Sequence, residues 1–172
     1  MGEIERNIFL IGFMGAGKST IARELAKELK TERIEMDQMI VEQQKMPISE
    51  IFDQFGEEHF RDIETELVKE LKNKKGVVVS CGGGAVLRDE NARLMKENGR
   101  IVLLTATPET IYERVKNCTD RPILNGNMNV EYISSLMDKR KDRYFAVADY
   151  VVATDGKSIK EICTEIIAKL QE

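Results

Sequence analysis

The chain has 172 residues, 42% hydrophobic and 33% charged, with no Trp and a formal net charge of −4. That length suits one domain with a real core, residues 1–172. The acidic balance, with no dense Lys/Arg stripe, excludes a general nucleic-acid binder. No basic-then-apolar leader and no apolar run of membrane-spanning length is visible, so no membrane partner is expected and the cytoplasm is the expected compartment. Cys81, Cys118 and Cys163 form no C-x-x-C pair and read as reduced thiols.

Taken in chain order, Ile8-Phe9-Leu10-Ile11 reads as a buried strand and Ile21 to Leu29 has helical spacing. Between them lies Gly12-Phe-Met-Gly15-Ala16-Gly17-Lys18-Ser19-Thr20, a complete G-x-x-x-x-G-K-[ST] phosphate-binding loop. Its glycines let the backbone aim consecutive N–H groups at phosphate oxygens, and the helix N-terminus adds its dipole. Lys18 would reach the β/γ-phosphates as a point charge, and the Ser19 hydroxyl would ligate Mg²⁺. The pattern predicts a nucleoside triphosphate site.

A short strand, Arg33 to Met36, comes next, then helices over Met39 to Gln44, Ile48 to Phe55 and Glu57 to Leu71. In the last, Phe60, Ile63, Leu67 and Leu71 form an apolar stripe. Val77-Val78-Val79 is a buried strand ending at Gly82-Gly83-Gly84, and Asp89 to Glu97 is helical with Asn98-Gly99 as its C-cap. Ile101 to Leu104 is a further central strand, and Thr107-Pro108 opens a helix with an N-cap and a first-turn proline. Asn117 to Asn129 is polar and reads as a surface loop. Val130 to Tyr144 is helical, Tyr150 to Ala153 a last strand, Asp155-Gly156 a turn and Ile159 to Leu170 a final helix. Strands alternating with helices predict a parallel sheet covered on both faces, with ligands outside the strands' carboxyl ends.

Glu35 and Asp37, read as strand residues two apart, point to one side. Two carboxylates beside a phosphate site suit metal-water coordination and acceptance of a hydroxyl proton, yet on spacing alone they read equally well as solvated acids. Arg61 precedes Glu64, a helical neighbour able to orient it. Arg121 sits in the polar loop, and Arg140 on the helix entering Tyr144. A planar fork suits carboxylate or phosphate recognition, though each arginine taken singly reads as a surface side chain. His59 reads as a surface helical residue and Cys81 as a buried strand-end thiol.

Together these residues resemble the shikimate kinases. The likeness runs from Gly12–Thr20 through Asp37, Ile51-Phe52, Gly56, Phe60-Arg61 and Gly82-Gly83-Gly84-Ala85-Val86. It continues through Arg121-Pro122-Ile123-Leu124, Arg140, Tyr144 and Ala148-Asp149. The resemblance implies an α/β P-loop fold, a three-layer sandwich with a parallel five-stranded sheet like the nucleoside monophosphate kinases. A substrate-binding segment at 34–62 and a lid at 117–129 would be added to it. It implies ATP and Mg²⁺ as cofactors and shikimate as the small-molecule substrate, phosphorylated on its 3-hydroxyl by a monomer. Lys18, Asp37 and Arg121 would be catalytic. Gly15, Ala16, Gly17, Lys18, Ser19, Thr20, Arg114, Arg121 and Asp155 would bind nucleotide. Asp37, Arg61, Gly82, Gly83, Gly84 and Arg140 would bind shikimate, and Ser19 with Glu35 would serve the metal. Ser80 matches a position that often holds Ser or Thr in place of a Walker-B acid.

Departures from the family pattern are Glu35, where Asp is usual, Cys81, where small residues are frequent, and Asp142-Arg143, where Pro and Leu are frequent. Two other readings stay open at this point. One is a kinase for another small anionic hydroxy compound such as gluconate. The other is a nucleotide-binding regulatory module without turnover.

Overall fold

The computed structural model describes residues 6–116 and 129–171. Five strands form one sheet: β1 (Asn7–Ile11), β2 (Arg33–Glu35), β3 (Val78–Ser80), β4 (Gly99–Thr105) and β5 (Tyr150–Ala153). Their order is β2-β3-β1-β4-β5, and every pairing is parallel. Parallel neighbours need crossover helices, which cover the faces, so the central strand β1 is buried at all five positions.

The helices are α1 (Lys18–Leu29), α2 (Met36–Gln44), α3 (Ile48–Phe55), α4 (Glu57–Leu71), α5 (Asp89–Asn98), α6 (Pro108–Val115), α7 (Val130–Val147) and α8 (Ile159–Leu170). α1 packs on β1 and β3 and against α8, while α5 and α7 pack on β4. The result is the expected three-layer α/β sandwich. No helix of the described residues is long and apolar enough to cross a membrane.

Side-chain caps mark the starts of α6, α7 and α8. Thr107 accepts from the Thr110 N–H at 3.2 Å ahead of Pro108, and Ser158 with Glu161 forms a reciprocal capping box. α1 alone among the described helices has no acid in its first turn, and its N-cap, Gly17, has φ +99 and makes no side-chain cap bond. That end keeps its donors and its positive dipole for a ligand.

Several boundaries depart from the sequence reading. The strand ends at Glu35, and Met36, fully buried, already opens α2, so Asp37 lies in a helix's first turn and not on the strand face of Glu35. The predicted C-cap at Asn98-Gly99 is also absent, since Gly99 has extended backbone and starts β4 opposite Asn7. A Cβ there would run into the Asn7 carbonyl, so close strand approach, not a left-handed turn, requires this glycine. α7 continues three residues beyond its expected end.

Candidate active site

The carboxyl ends of β1, β2 and β3 meet at one cleft of about 350 Å³. Its floor is the loop from Gly12 to Gly17, where Gly12, Gly15 and Gly17 all have positive φ. A side chain at Gly12 would also strike the Leu104 carbonyl at 2.5 Å, so β4 holds the loop's entry. The Lys18 ammonium donates to the Gly12 carbonyl at 2.6 Å and the Phe13 carbonyl at 3.1 Å, arching over the loop. Gly15, Gly17, Lys18, Ser19 and Thr20 line the cleft. Ala16 instead faces inward, buried, with its N–H bonded to the Phe13 carbonyl.

Glu35 and Asp37 both reach the cleft despite sitting on different elements. Ser19 donates its hydroxyl hydrogen to Glu35 Oε2 at 2.9 Å. Glu35 Oε1 is buried, has no hydrogen-bond partner among the described residues, and lies 3.6 Å from Arg33. No cluster of three or more His, Cys, Asp or Glu suited to a metal occurs among the described residues. Hard oxygens from one hydroxyl and one carboxylate nevertheless fit Mg²⁺, which is held by few protein ligands and keeps several waters.

The three glycines after β3 bring the second half of the site together. A Cβ on Gly82 would lie 2.7 Å from Asp37 Oδ1 and 3.0 Å from Glu64 Oε2. One on Gly83 would lie 3.1 Å from Arg140 Nη1, and one on Gly84 would fall inside the Arg61 guanidinium. Asp37, Glu64, Arg61 and Arg140, from three helices, therefore converge on one stretch of bare backbone. Arg61 is nearly buried and donates to Glu64 at 2.6 Å and to Glu57 at 3.2 Å. Burial lowers the Arg61 pKa, but the Glu64 and Glu57 carboxylates outweigh it and the net shift is upward. Burial raises the Glu64 pKa, and Arg61 opposes this only in part.

Tyr144 is a residue that sequence reasoning leaves without a role. Its hydroxyl donates to the Gly83 carbonyl at 2.5 Å, and burial raises its pKa. Its spacing four residues after Arg140 puts both on one face of α7, which is the available signal.

Arg114 lines the cleft, donating to the Gly15 carbonyl at 2.9 Å and to Thr154 at 3.2 Å. Asp155 does not line it: its carboxylate accepts the Thr107 N–H at 2.9 Å at the start of α6. Burial works to raise its pKa, and the bonds from Thr107 and Thr110 bring it below the ordinary value. Cys81 is buried, and burial pushes its thiol well up, away from reactivity. His59 is exposed, stacked near Phe55. Arg121 and residues 117–128 of the expected lid lie outside the described residues; Asn129 caps α7 through its side chain.

Comparison with known proteins places the chain in a family. The sequence model of the shikimate kinase family matches residues 14–171. A shikimate kinase of Geobacter sulfurreducens is 42% identical over 167 residues, covering 97% of this chain and 92% of its own. A shikimate kinase from Acinetobacter baumannii, solved in complex with shikimate, superposes with a TM-score of 0.93 at 31% identity, covering 98% of this chain and 94% of its own. A gluconokinase from Sinorhizobium meliloti, at 18% identity and a TM-score of 0.59, covers 99% of this chain and 94% of its own and shares the fold alone.

Proposed function

Because the chain belongs to the shikimate kinase family, we propose that it transfers the γ-phosphoryl group of ATP to the 3-hydroxyl of shikimate, a step in aromatic amino-acid biosynthesis. The observation that carries the reading is the convergence of Arg61, Arg140 and Asp37 on the Gly82–Gly84 backbone beside the phosphate loop. Two guanidinium forks suit an anionic acceptor, and a carboxylate in the phosphate cleft beside Gly82 suits its hydroxyl.

In the proposed reaction Asp37 orients the acceptor hydroxyl and takes its proton as the oxygen attacks the γ-phosphorus. The bond to the β–γ bridging oxygen breaks, and ADP leaves with that electron pair. Arg61 and Arg140 hold the acceptor carboxylate, while the backbone of Gly82 to Gly84 lets the ring lie close. Lys18 and the N–H groups of Gly15, Gly17, Lys18, Ser19 and Thr20 stabilise charge on the β- and γ-phosphates, which in phosphoryl transfer is most of the catalysis. A Mg²⁺ ion held by Ser19, and by Glu35 through water, would neutralise phosphate charge there. Arg114 would border the adenine; Asp155, bonded to Thr107, would only shape that edge. The resemblance adds Arg121 against the transferring group. In this reading the chain is one domain acting as a cytoplasmic monomer on small molecules, with no nucleic-acid or membrane partner.

A coupled ADP-release assay across shikimate, gluconate and nucleoside monophosphates tests it. Turnover is expected with shikimate only. ADP release driven by gluconate, or by none of them, would overturn the reading.

A further inference from the structure

The segment just after the glycines is tied to both helices that carry the acceptor arginines. On one side, Arg143 of α7 donates from Nε to the Val86 carbonyl at 2.7 Å, and its Nη1 meets Asp89 at 2.8 Å. The next residue, Tyr144, holds the Gly83 carbonyl. Adjacent residues of α7 thus grip backbone positions three apart, which fixes the helix's rotation as well as its distance. On the other side, Arg88 donates to Asp62 and to Glu58, each at 2.9 Å, and to Thr65 at 3.3 Å, all on α4 around Arg61. Asn91 of α5 anchors the same segment through the Ala85 carbonyl at 2.8 Å.

These ties are unequal. Asp89, Glu58 and Asp62 are well exposed, and exposed ion pairs contribute little. The Arg143 bond to a carbonyl is charge-assisted and part-buried, and so the stronger. Arg143 also carries a cost: its Nη2 is buried with no hydrogen-bond partner among the described residues. An apolar side chain at that position would escape this cost but leave the Val86 carbonyl without its donor; the two effects offset, so stability alone does not account for the arginine. Its neighbour three residues earlier is Arg140, whose Nη1 stands beside Gly83.

We propose that Arg143 is a positioning residue for the acceptor site: by clamping α7 to Val86 it sets the separation of Arg140 from Arg61, and with it the grip on the acceptor carboxylate. Arg88 braces the opposite side more weakly. The inference rests on the reading of Arg61 and Arg140 given above.

Steady-state kinetics and thermal melts of the full chain test it with R143L, R143K and D89N. R143L should raise the shikimate KM about tenfold while ATP KM and kcat stay within about twofold and the melting temperature does not fall. R143K retains a donor for one of the two partners and should lie between R143L and the parent. D89N leaves the Val86 bond and should change the shikimate KM by less than about threefold. A folded R143L whose shikimate KM stays within twofold of the parent's, or which weakens both substrates equally, overturns the proposal. Should R143L not fold, that already contradicts the proposal's stability expectation, and an unchanged KM in R143K would overturn the positioning role as well. If the parent chain does not phosphorylate shikimate at all, the functional reading fails, and this inference with it.

Discussion

Glu35 and Asp37, two residues apart, enter the cleft from a strand end and from a helix's first turn, and the proposed reading divides roles between them. Glu35, longer than the aspartate usual in the family, spans to the Ser19 hydroxyl directly, while Asp37 sits beside the glycines where an acceptor would lie. Glu35→Asp should therefore keep kcat within about tenfold, a barrier change of ~1.4 kcal/mol or less, and shift mainly the Mg²⁺ dependence of the rate. Asp37→Asn should remove most turnover, since the amide can neither accept the proton nor hold the hydroxyl in the same sense. A nearly inactive E35D beside an active D37N, measured in Mg²⁺ titrations of initial rate, would show the two carboxylates reversed. Glu64 carries a different signature. Its folded pKa is raised above the ordinary 4.5 by burial, so the folded state binds its proton more tightly than the unfolded state does. The stability it contributes is then fully present below the unfolded pKa and is lost as pH rises through the folded value. Glutamine does not titrate. Urea unfolding of E64Q should thus give stability that declines less than the parent's between pH 4.5 and neutrality, whatever its absolute level. An equal or steeper decline would contradict the assignment.

Among the elements, the Gly82–Gly84 run acts as a gap between α4 and α7 into which side chains from both helices project. At Gly84 the atoms a Cβ would meet are the far end of Arg61, not backbone. The fold can accept that by moving a flexible side chain, but the guanidinium then leaves its place beside Glu64. Gly84→Ala should accordingly raise the shikimate KM by at least about tenfold, with the ATP KM changed far less. A variant with both constants intact would mean Arg61 is not held where the acceptor binds. Much of this arrangement is legible in the chain. Strand, loop and helix around Gly12–Thr20 are contiguous, and the Arg61–Glu64 pair follows from helical spacing alone. The start of α2 is not legible: β2 has only three residues, too few to display an alternating period, and a buried Met36 after buried Ile34 fits a strand end as well as a helix start. The error leaves the site intact, because a helix's first turn still aims Asp37 into the same cleft. Tyr144 on Gly83 and Arg143 on Val86 join residues 61 and 57 apart, with no local pattern to announce them. The bond of the Asp155 carboxylate to the Thr107 amide, 48 residues away, is non-local in the same way.

For the molecule as a whole, the sheet order puts β1 at the centre, so the strand that launches the phosphate loop is also the one most deeply packed. Ile8 lies at the amino end of that strand, opposite Val78 and Arg100 and 2% exposed, while the ligand cleft lies beyond the carboxyl end. Core and site are thus separated along one element. Removing the Ile8 side chain beyond Cβ should cost about 2–5 kcal/mol through lost transfer energy and a residual cavity. That is a large share of a total stability of about 5–15 kcal/mol. Ligand linkage supplies an independent measure of the other end of the strand. ADP at a hundred times its Kd should add about 2.7 kcal/mol to a chain whose loop is intact. Ile8→Ala should therefore unfold at markedly lower denaturant than the parent, and ADP should raise the stability of both by the same amount. If ADP stabilises the parent but not a still-folded I8A, the loop's geometry depends on packing at the far end of β1, and the separation of core from site is wrong.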